Sequence, residues 1–384
     1  MATEARIKTC EVADDTGLRS LEISIGRNKI MTPSKSFGPE MVSSKQPFSH
    51  SGLQFNEIYA LFKEDTITTL SSDRKKNTAK NKKMQQKVDN GIDSPSITFI
   101  DYVGKQNGCP TIPHASEIEM LTNFAYTFSD ITPIPAIPKI ASSLTLENAD
   151  LFIQYIQNCI ESIEVWNYKP IMGYLPIGSL QPILERLINL YLDNGINTFY
   201  LDYNLGGLAG SKTNVTALKR VLSNRGYNEN HCFYVLNMKY GKVQKENSVL
   251  PARDFLGLGL GLDNIGNSHR TRPVPPHVAK EMVPVSKKFR VLNRNEYGYY
   301  RVDIPNISNG IHYPPDSPIS LNQIVSTASQ EGKRRLVEQV NLHEQTAECL
   351  TLQQIISEEK GHTFHYFQSK SCLDAKDLKI LARR

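Results

Sequence analysis

The sequence predicts an α/β protein of the TIM, (βα)8-barrel type, with insertions and a helical C-terminal part. Three observations lead there. Short apolar runs recur near residues 97, 171, 198, 232 and 255, and helical periodicity fills the intervals between them. Residues 169–210, KPIMGYLPIGSLQPILERLINLYLDNGINTFYLDYNLGGLAG, read as a strand, a crossover helix and a parallel strand. The first of those runs has almost no polar alternation, as in a strand covered on both faces, and strands of that kind need a helix to join them in parallel. Finally, 384 residues, 39% hydrophobic and 22% charged, suffice for one large barrel domain with insertions or for two ordinary domains, and we take 1–384 as one.

In chain order, Leu21, Ile23 and Ile25 alternate as in a strand, Gly26 turns the chain, and the next strand ends at Pro33, which cannot donate to a ladder. From Phe55 to Leu70 the apolar pattern fits a helix or a strand. Residues 71–95, SSDRKKNTAKNKKMQQKVDNGIDSP, are lysine-rich and poor in large apolar groups. They predict a solvated, flexible insertion or a frayed helix, and Lys75, Lys76, Lys82 and Lys83 are its candidate phosphate contacts. A strand over Ile97–Ile100 delivers Asp101 to its C-terminal end, the usual place for a barrel's acid or base and equally for a helix cap. Pro133, Pro135 and Pro138 imply a rigid extended connection, and Glu147–Trp166 carries helical spacing. Beyond residue 210 come a helix at Val215–Leu222 and a strand at Cys232–Met238. Asp254–Leu262, DFLGLGLGL, alternates glycine with leucine, as in a strand that a flat ligand approaches closely. Asp263 follows, then a basic loop with Arg270 and Arg272 at the presumed ligand end. Phe289–Leu292 and Tyr299–Val302 predict a strand pair around Gly298, and 315–384 is helical, notably Arg335–Ile356.

The net charge of +5 permits a nucleic-acid partner without requiring one. No apolar run is long enough to span a bilayer, and the N-terminus lacks the apolar core of a signal peptide, so a cytoplasmic protein is expected. Six cysteines form no close pairs, which predicts reduced thiols. Cys349, His362, His365 and Cys372 are of the types that bind zinc, but their gaps are irregular and no cofactor is expected. The chain has no Walker sequence, no G-x-S-x-G elbow and no dinucleotide fingerprint.

The order and spacing of IMGYLPIG, LDYNLGGLAG and DFLGLGLG resemble the tRNA-guanine transglycosylase family. There an F-G-I-x-Q-G-G strand end, a G-G-L-[AS]-x-G-E segment and an M-G-V-G strand line a base pocket in a TIM barrel. GRNKIMTPSKSFGP is similar to that family's opening, Ser129-Asp130-Ile131 to its S-D-I segment, and Leu342 onward to its late N-L helix. The resemblance implies base exchange: an Asp attacks the sugar C1′, guanine leaves, and a 7-deazaguanine replaces it through a covalent glycosyl intermediate. It makes Asp101 the general acid/base and puts Asp130, Gly206, Gly207, Leu208, Leu256 and Gly257 around the base. The partner it implies is a nucleic acid, tRNA or DNA, which Arg270, Arg272 and the lysines of 71–95 would touch.

The chain also departs from the family. Pro176 replaces the glutamine of Q-G-G, Ile177 replaces its first glycine, the second base-reading Asp would fall near Ala136, and the C-x-C-x-x-C zinc motif has no counterpart. The segment Phe289–Asn295 lacks a carboxylate where the family has its nucleophile, so Asp263 is the substitute by position and Asp202 the second choice. These departures suit a changed polymer or base, as in DNA-modifying relatives. They also suit a catalytically silent barrel that binds nucleic acid or serves as a partner subunit, and a homo-oligomer is a further expectation.

Overall fold

In a computed structural model of the chain, residues 5–39, 55–106, 109–166, 168–239, 249–270, 289–301 and 312–381 are described. Alternating burial folds β1 (Arg6–Val12), β2 (Arg19–Ile25) and β3 (Asn28–Met31) into an antiparallel sheet, with Leu21, Ile23 and Ile25 on its buried face. After Pro33 the chain enters β4 (Ser34–Lys35). The ambiguous stretch divides at Lys63: β5 (Asn56–Lys63) buries Ile58, Ala60 and Phe62, and α1 (Glu64–Ser72) starts with two acidic residues in its first turn, where the helix dipole favours them. The lysine-rich segment is mostly a regular helix, α2 (Arg74–Asp89). The Asp73 carboxylate caps it by accepting the N–H groups of Lys75 and Lys76 at 3.0 and 3.1 Å. Met84 is buried, Val88 packs partly buried against the core, and Lys80 lies over the Phe62 ring, while Lys75, Lys76, Lys82 and Lys83 stay exposed.

Next come β6 (Ser96–Gln106), its hairpin partner β7 (Cys109–Thr111), α3 (Ala115–Thr127), β8 (Thr132–Pro133), α4 (Pro138–Ala141) and α5 (Ala149–Glu164). Then β9 (Ile171–Pro176), α6 (Gln181–Asp193), β10 (Thr198–Asp202), α7 (Leu208–Asn224) and β11 (Cys232–Leu236) alternate as the sequence predicts, and the three strands are buried at every residue. The next part differs. After β12 (Leu250–Pro251), DFLGLGLGL is the helix α8 (Arg253–Gly259) and its following turn, not a strand. Phe255, Leu256 and Leu258 are buried around the helix, and a Cβ on Gly259 would lie 2.7 Å from Leu381 Cδ2. The glycines therefore allow close helix packing, and a helix apolar on all sides shows no amphipathic period.

The last strand of the parallel sheet in sequence is β13 (Asn264–Ile265), while β14 (Arg290–Asn293) and β15 (Gly298–Arg301) form a separate antiparallel sheet with β12, in which β15 lies in the middle. The C-terminal part is helical: α9 (Leu321–Ser326), α10 (Gln330–Glu358), α11 (Thr363–Gln368) and α12 (Ala375–Leu381). Six strands form one parallel sheet in the order β4-β13-β11-β10-β9-β8, and β5 and β6 form a parallel pair. Two parallel bridges connect them: Glu57 N–H donates to Phe37 O at 2.7 Å beside β4, and Tyr102 N–H to Ala136 O at 2.8 Å beyond β8. All eight strands thus present their C-terminal ends on one side. Among the described residues no helix is long and apolar enough to cross a membrane.

Candidate active site

Polar side chains gather at that C-terminal side. Arg270, just beyond β13, donates Nε and Nη2 to the two oxygens of Asp101 at 2.7 Å each, the bidentate geometry that suits a planar guanidinium. Its Nη1 reaches Asp202 Oδ2 at 2.5 Å and Asn204 Oδ1 at 3.3 Å. Asp101 also accepts the Tyr59 hydroxyl at 2.8 Å, and Asp202 accepts Asn237 Nδ2 at 3.0 Å and the Tyr174 hydroxyl at 3.2 Å. Burial alone would weaken the guanidinium's hold on its proton; the bonds to Asp101 and the charge of Asp202 reverse this and push its pKa up. The backbone here is strained. Asn204, Leu205 and Asn237 take φ of 43°, 63° and 55°, and left-handed residues other than glycine cost of order 1–3 kcal/mol each and cluster where function requires them.

A second carboxylate lies beside the first group. His269 Nε2 contacts Glu57 Oε1 at 2.5 Å, the backbone N–H of Asn267 donates to Glu57 at 2.9 Å, and the Tyr234 hydroxyl donates to it as well. Burial would raise the Glu57 pKa, but His269 and Lys35 outweigh it and hold the carboxyl down at about 2. The His269 ring stacks on Tyr59 at 4.4 Å, which links the two carboxylate groups through one aromatic pair.

Two cavities flank these groups. One, of about 410 Å³, is bounded by Tyr174, Pro176, Ser179, Asp202, Tyr203 and Gly206, and the buried Ser179 Oγ has no hydrogen-bond partner. The other, of about 220 Å³, is bounded by Lys35, Met238, Asp254, Asn267, Leu342 and Gln345. Burial pushes the Asp254 carboxyl up to about 6, against the bond from Tyr299 and the charge of Lys35. A carboxyl raised in the folded state stabilises the fold below its unfolded value, near 3.8, and that stability is lost as pH rises through about 6. Asp254→Asn is therefore expected to raise unfolding free energy by up to about 3 kcal/mol at pH 8 and by almost nothing at pH 3.5, each pH unit being worth about 1.4 kcal/mol. Urea unfolding at the two pH values measures it; an equal effect at both would mean that charge burial is not the cause.

Of the residues singled out in the sequence, Asp101, Asp202, Gly206 and Arg270 meet here. Gly206 lines the larger cavity, where a Cβ would lie 2.8 Å from Tyr203 O. Gly207 and Leu208 cap and begin α7, with Leu208 buried. Others do not meet. Asp263 precedes β13, at the opposite end of the strands, and is fully buried against Arg19, with Nε to Oδ1 at 2.7 Å and Nη2 to Oδ2 at 2.6 Å. Asp130 is also at the N-terminal end, where it accepts Ser96 N–H at 2.7 Å. Leu256 and Gly257 belong to α8 and bound neither cavity. Arg270 is a buried counter-ion and not a surface contact; Arg272 lies outside the described residues. Lys75, Lys76, Lys82 and Lys83 are exposed on α2. Cys349 is buried in α10, and Cys372 Sγ lies 3.3 Å from the Tyr300 hydroxyl, while His362 and His365 stand at the start of α11 and within it. Among the described residues no three His, Cys, Asp or Glu side chains form a metal-binding group.

Glu57, Tyr59, Asn237 and His269 belong to no motif, and Asp254 opens DFLGLGLG without a role of its own there. Glu57 and Tyr59 do carry a signal, a carboxylate and a phenol within the apolar run NEIYALFK. No protein-family model matches the chain, and a search of curated proteins finds no match either.

Proposed function

We propose that the chain is a base-exchange transglycosylase replacing guanine by a 7-deazaguanine in a nucleic acid, built on a TIM-type barrel in which the two bridges close the ring of eight parallel strands. The observation that carries this reading is one guanidinium spanning two carboxylates, Asp101 and Asp202, beside an open cavity with an unpartnered Ser179 hydroxyl. Arg270 grips Asp101 with two bonds and Asp202 with one, so Asp202 is the carboxylate freed at lower cost, and we assign it as nucleophile in place of Asp263. Its oxygen forms an ester with C1′ as the C1′–N9 bond breaks and the electron pair leaves with guanine. A proton must reach that N9, and one must leave N9–H of the incoming base as the ester breaks; Asp101, bonded to Tyr59, is assigned both transfers. The target base has to leave its stack to enter the cavity, and the exposed lysines of α2 would hold the polymer backbone.

Incubation with radiolabelled guanine and either tRNA or duplex DNA is expected to label one of the two, and denaturing gels to show a covalent adduct that Asp202→Asn abolishes. The double change Lys82→Glu, Lys83→Glu should lower the slope of log affinity against log salt by about 2 on DNA. An adduct that survives Asp202→Asn removes the assigned nucleophile. Tight polymer binding with no label in either polymer favours the silent barrel, a reading that the occupation of both carboxylates by Arg270 also suits.

A further inference from the structure

One strand and one loop build a support behind Asp101. Glu57 and Tyr59 lie two residues apart on β5, so their side chains share one face of the strand, and Ile58, Ala60 and Phe62 fill the other. The loop after β13 runs close to Glu57. A Cβ on Gly266 would lie 2.5 Å from Glu57 Oε2, so glycine there lets the Asn267 N–H come within 2.9 Å of Oε1. Two residues on, His269 Nε2 lies 2.5 Å from the same Oε1. A carboxyl held at about 2 is ionised at neutral pH and can only accept, so His269 Nε2 carries the hydrogen. The imidazole is thereby fixed at one edge. Its face lies flat on the Tyr59 ring, with centroids 4.4 Å apart and planes 1° from parallel.

The stacked pair acts on one oxygen of Asp101. Oδ2 accepts both Arg270 Nε at 2.7 Å and the Tyr59 hydroxyl at 2.8 Å, whereas Oδ1 accepts Arg270 Nη2 alone, at 2.7 Å. A carboxylate oxygen has two lone pairs, so Oδ2 is filled and the open position is on Oδ1. We propose that His269, fixed by Glu57, is a positioning residue for Asp101: its ring holds the Tyr59 hydroxyl on Oδ2, which leaves Oδ1 as the oxygen that carries the transferred proton. Oδ1 gives that proton to guanine N9 as the C1′–N9 bond breaks and takes one from N9–H of the incoming base. The proton step rests on the base-exchange reading; the hold on Tyr59 does not. A second link runs through the main chain. The His269 N–H donates to Asn237 Oδ1 at 2.9 Å, which turns Asn237 Nδ2 towards Asp202 at 3.0 Å. Replacing the ring therefore loosens Asp101 and spares the hold on Asp202.

Four full-length proteins test it: the parent, Tyr59→Phe, His269→Gln and the double variant. Glutamine can still donate to Glu57 but offers no ring face. In base exchange each single change is expected to lower kcat about tenfold or more with KM for the polymer unchanged. The double variant should fall no further, because a ring that acts only through the Tyr59 hydroxyl then has nothing left to hold. His269→Phe, which keeps a flat ring, should recover most of what His269→Gln loses. A general packing defect would add in the double variant and would not be rescued. Urea unfolding of the same four proteins needs no chemistry: Tyr59→Phe should lower the midpoint in the parent and leave it unchanged in the His269→Gln protein. Additive shifts in urea, or a His269→Gln protein with the parent's kcat, overturn the inference. If the parent labels neither polymer, base exchange fails by itself, and the urea comparison alone decides whether His269 holds Tyr59 on Asp101.

Discussion

Arg270→Leu should abolish the proposed base exchange and lower the unfolding free energy by about 3–5 kcal/mol, the usual cost of removing one partner from a buried ion pair. The guanidinium is the shared cation of Asp101 and Asp202, whose side chains are 7% and 2% exposed. Without it two carboxylates face each other across a site that water reaches poorly, although Tyr59, Tyr174 and Asn237 still donate to them. Arg270→Lys keeps the charge but loses the fork, so it should recover part of the stability and little activity. A triple change that also makes Asp101 and Asp202 leucine should regain much of the loss, because no buried charge is then left unpaired. Urea unfolding reads all three. If Arg270→Leu unfolds within about 1 kcal/mol of the parent, the pair is not the electrostatic centre described above.

How much of this was legible follows from what each segment buries. The β9–α6–β10 unit could be read because both strands are covered on both faces and the helix on one, which produces two distinct periods. The helix α8 could not, because leucines surround it and its glycines serve packing against α12. That single difference moves Asp263. With DFLGLGLGL taken as a strand, Asp263 falls at a C-terminal end, like Asp101; with it as a helix, Asp263 precedes β13 and faces the other way. Arg270 was visible as a charge but its partners were not, since Asp101 lies 169 positions away in sequence. Glu57 and His269 come together across 212 positions for the same reason. A sequence shows which groups can do chemistry; the strand order decides which of them meet.

Asp263 therefore has a large expected effect of a different kind. Its carboxylate takes two bonds from Arg19 and the backbone N–H of Phe233 at 2.7 Å, and it is fully buried. Arg19 lies on β2 and also donates to His231 O at 3.0 Å, so the pair fastens the N-terminal antiparallel sheet to the N-terminal end of the parallel strands. Asp263→Ala should cost about 3–5 kcal/mol, because it strands a buried guanidinium and leaves the Phe233 N–H without its acceptor. Coupling to chemistry should be absent: at a temperature where the variant is folded, label incorporation per folded molecule is expected to equal that of the parent, and the covalent adduct should still form. Changing Arg19 and Asp263 together to leucine should restore part of the stability, which a simple packing defect would not show. The contrary result is equally specific. An Asp263→Ala protein that unfolds like the parent yet forms no adduct would return the nucleophile to Asp263 and take it from Asp202.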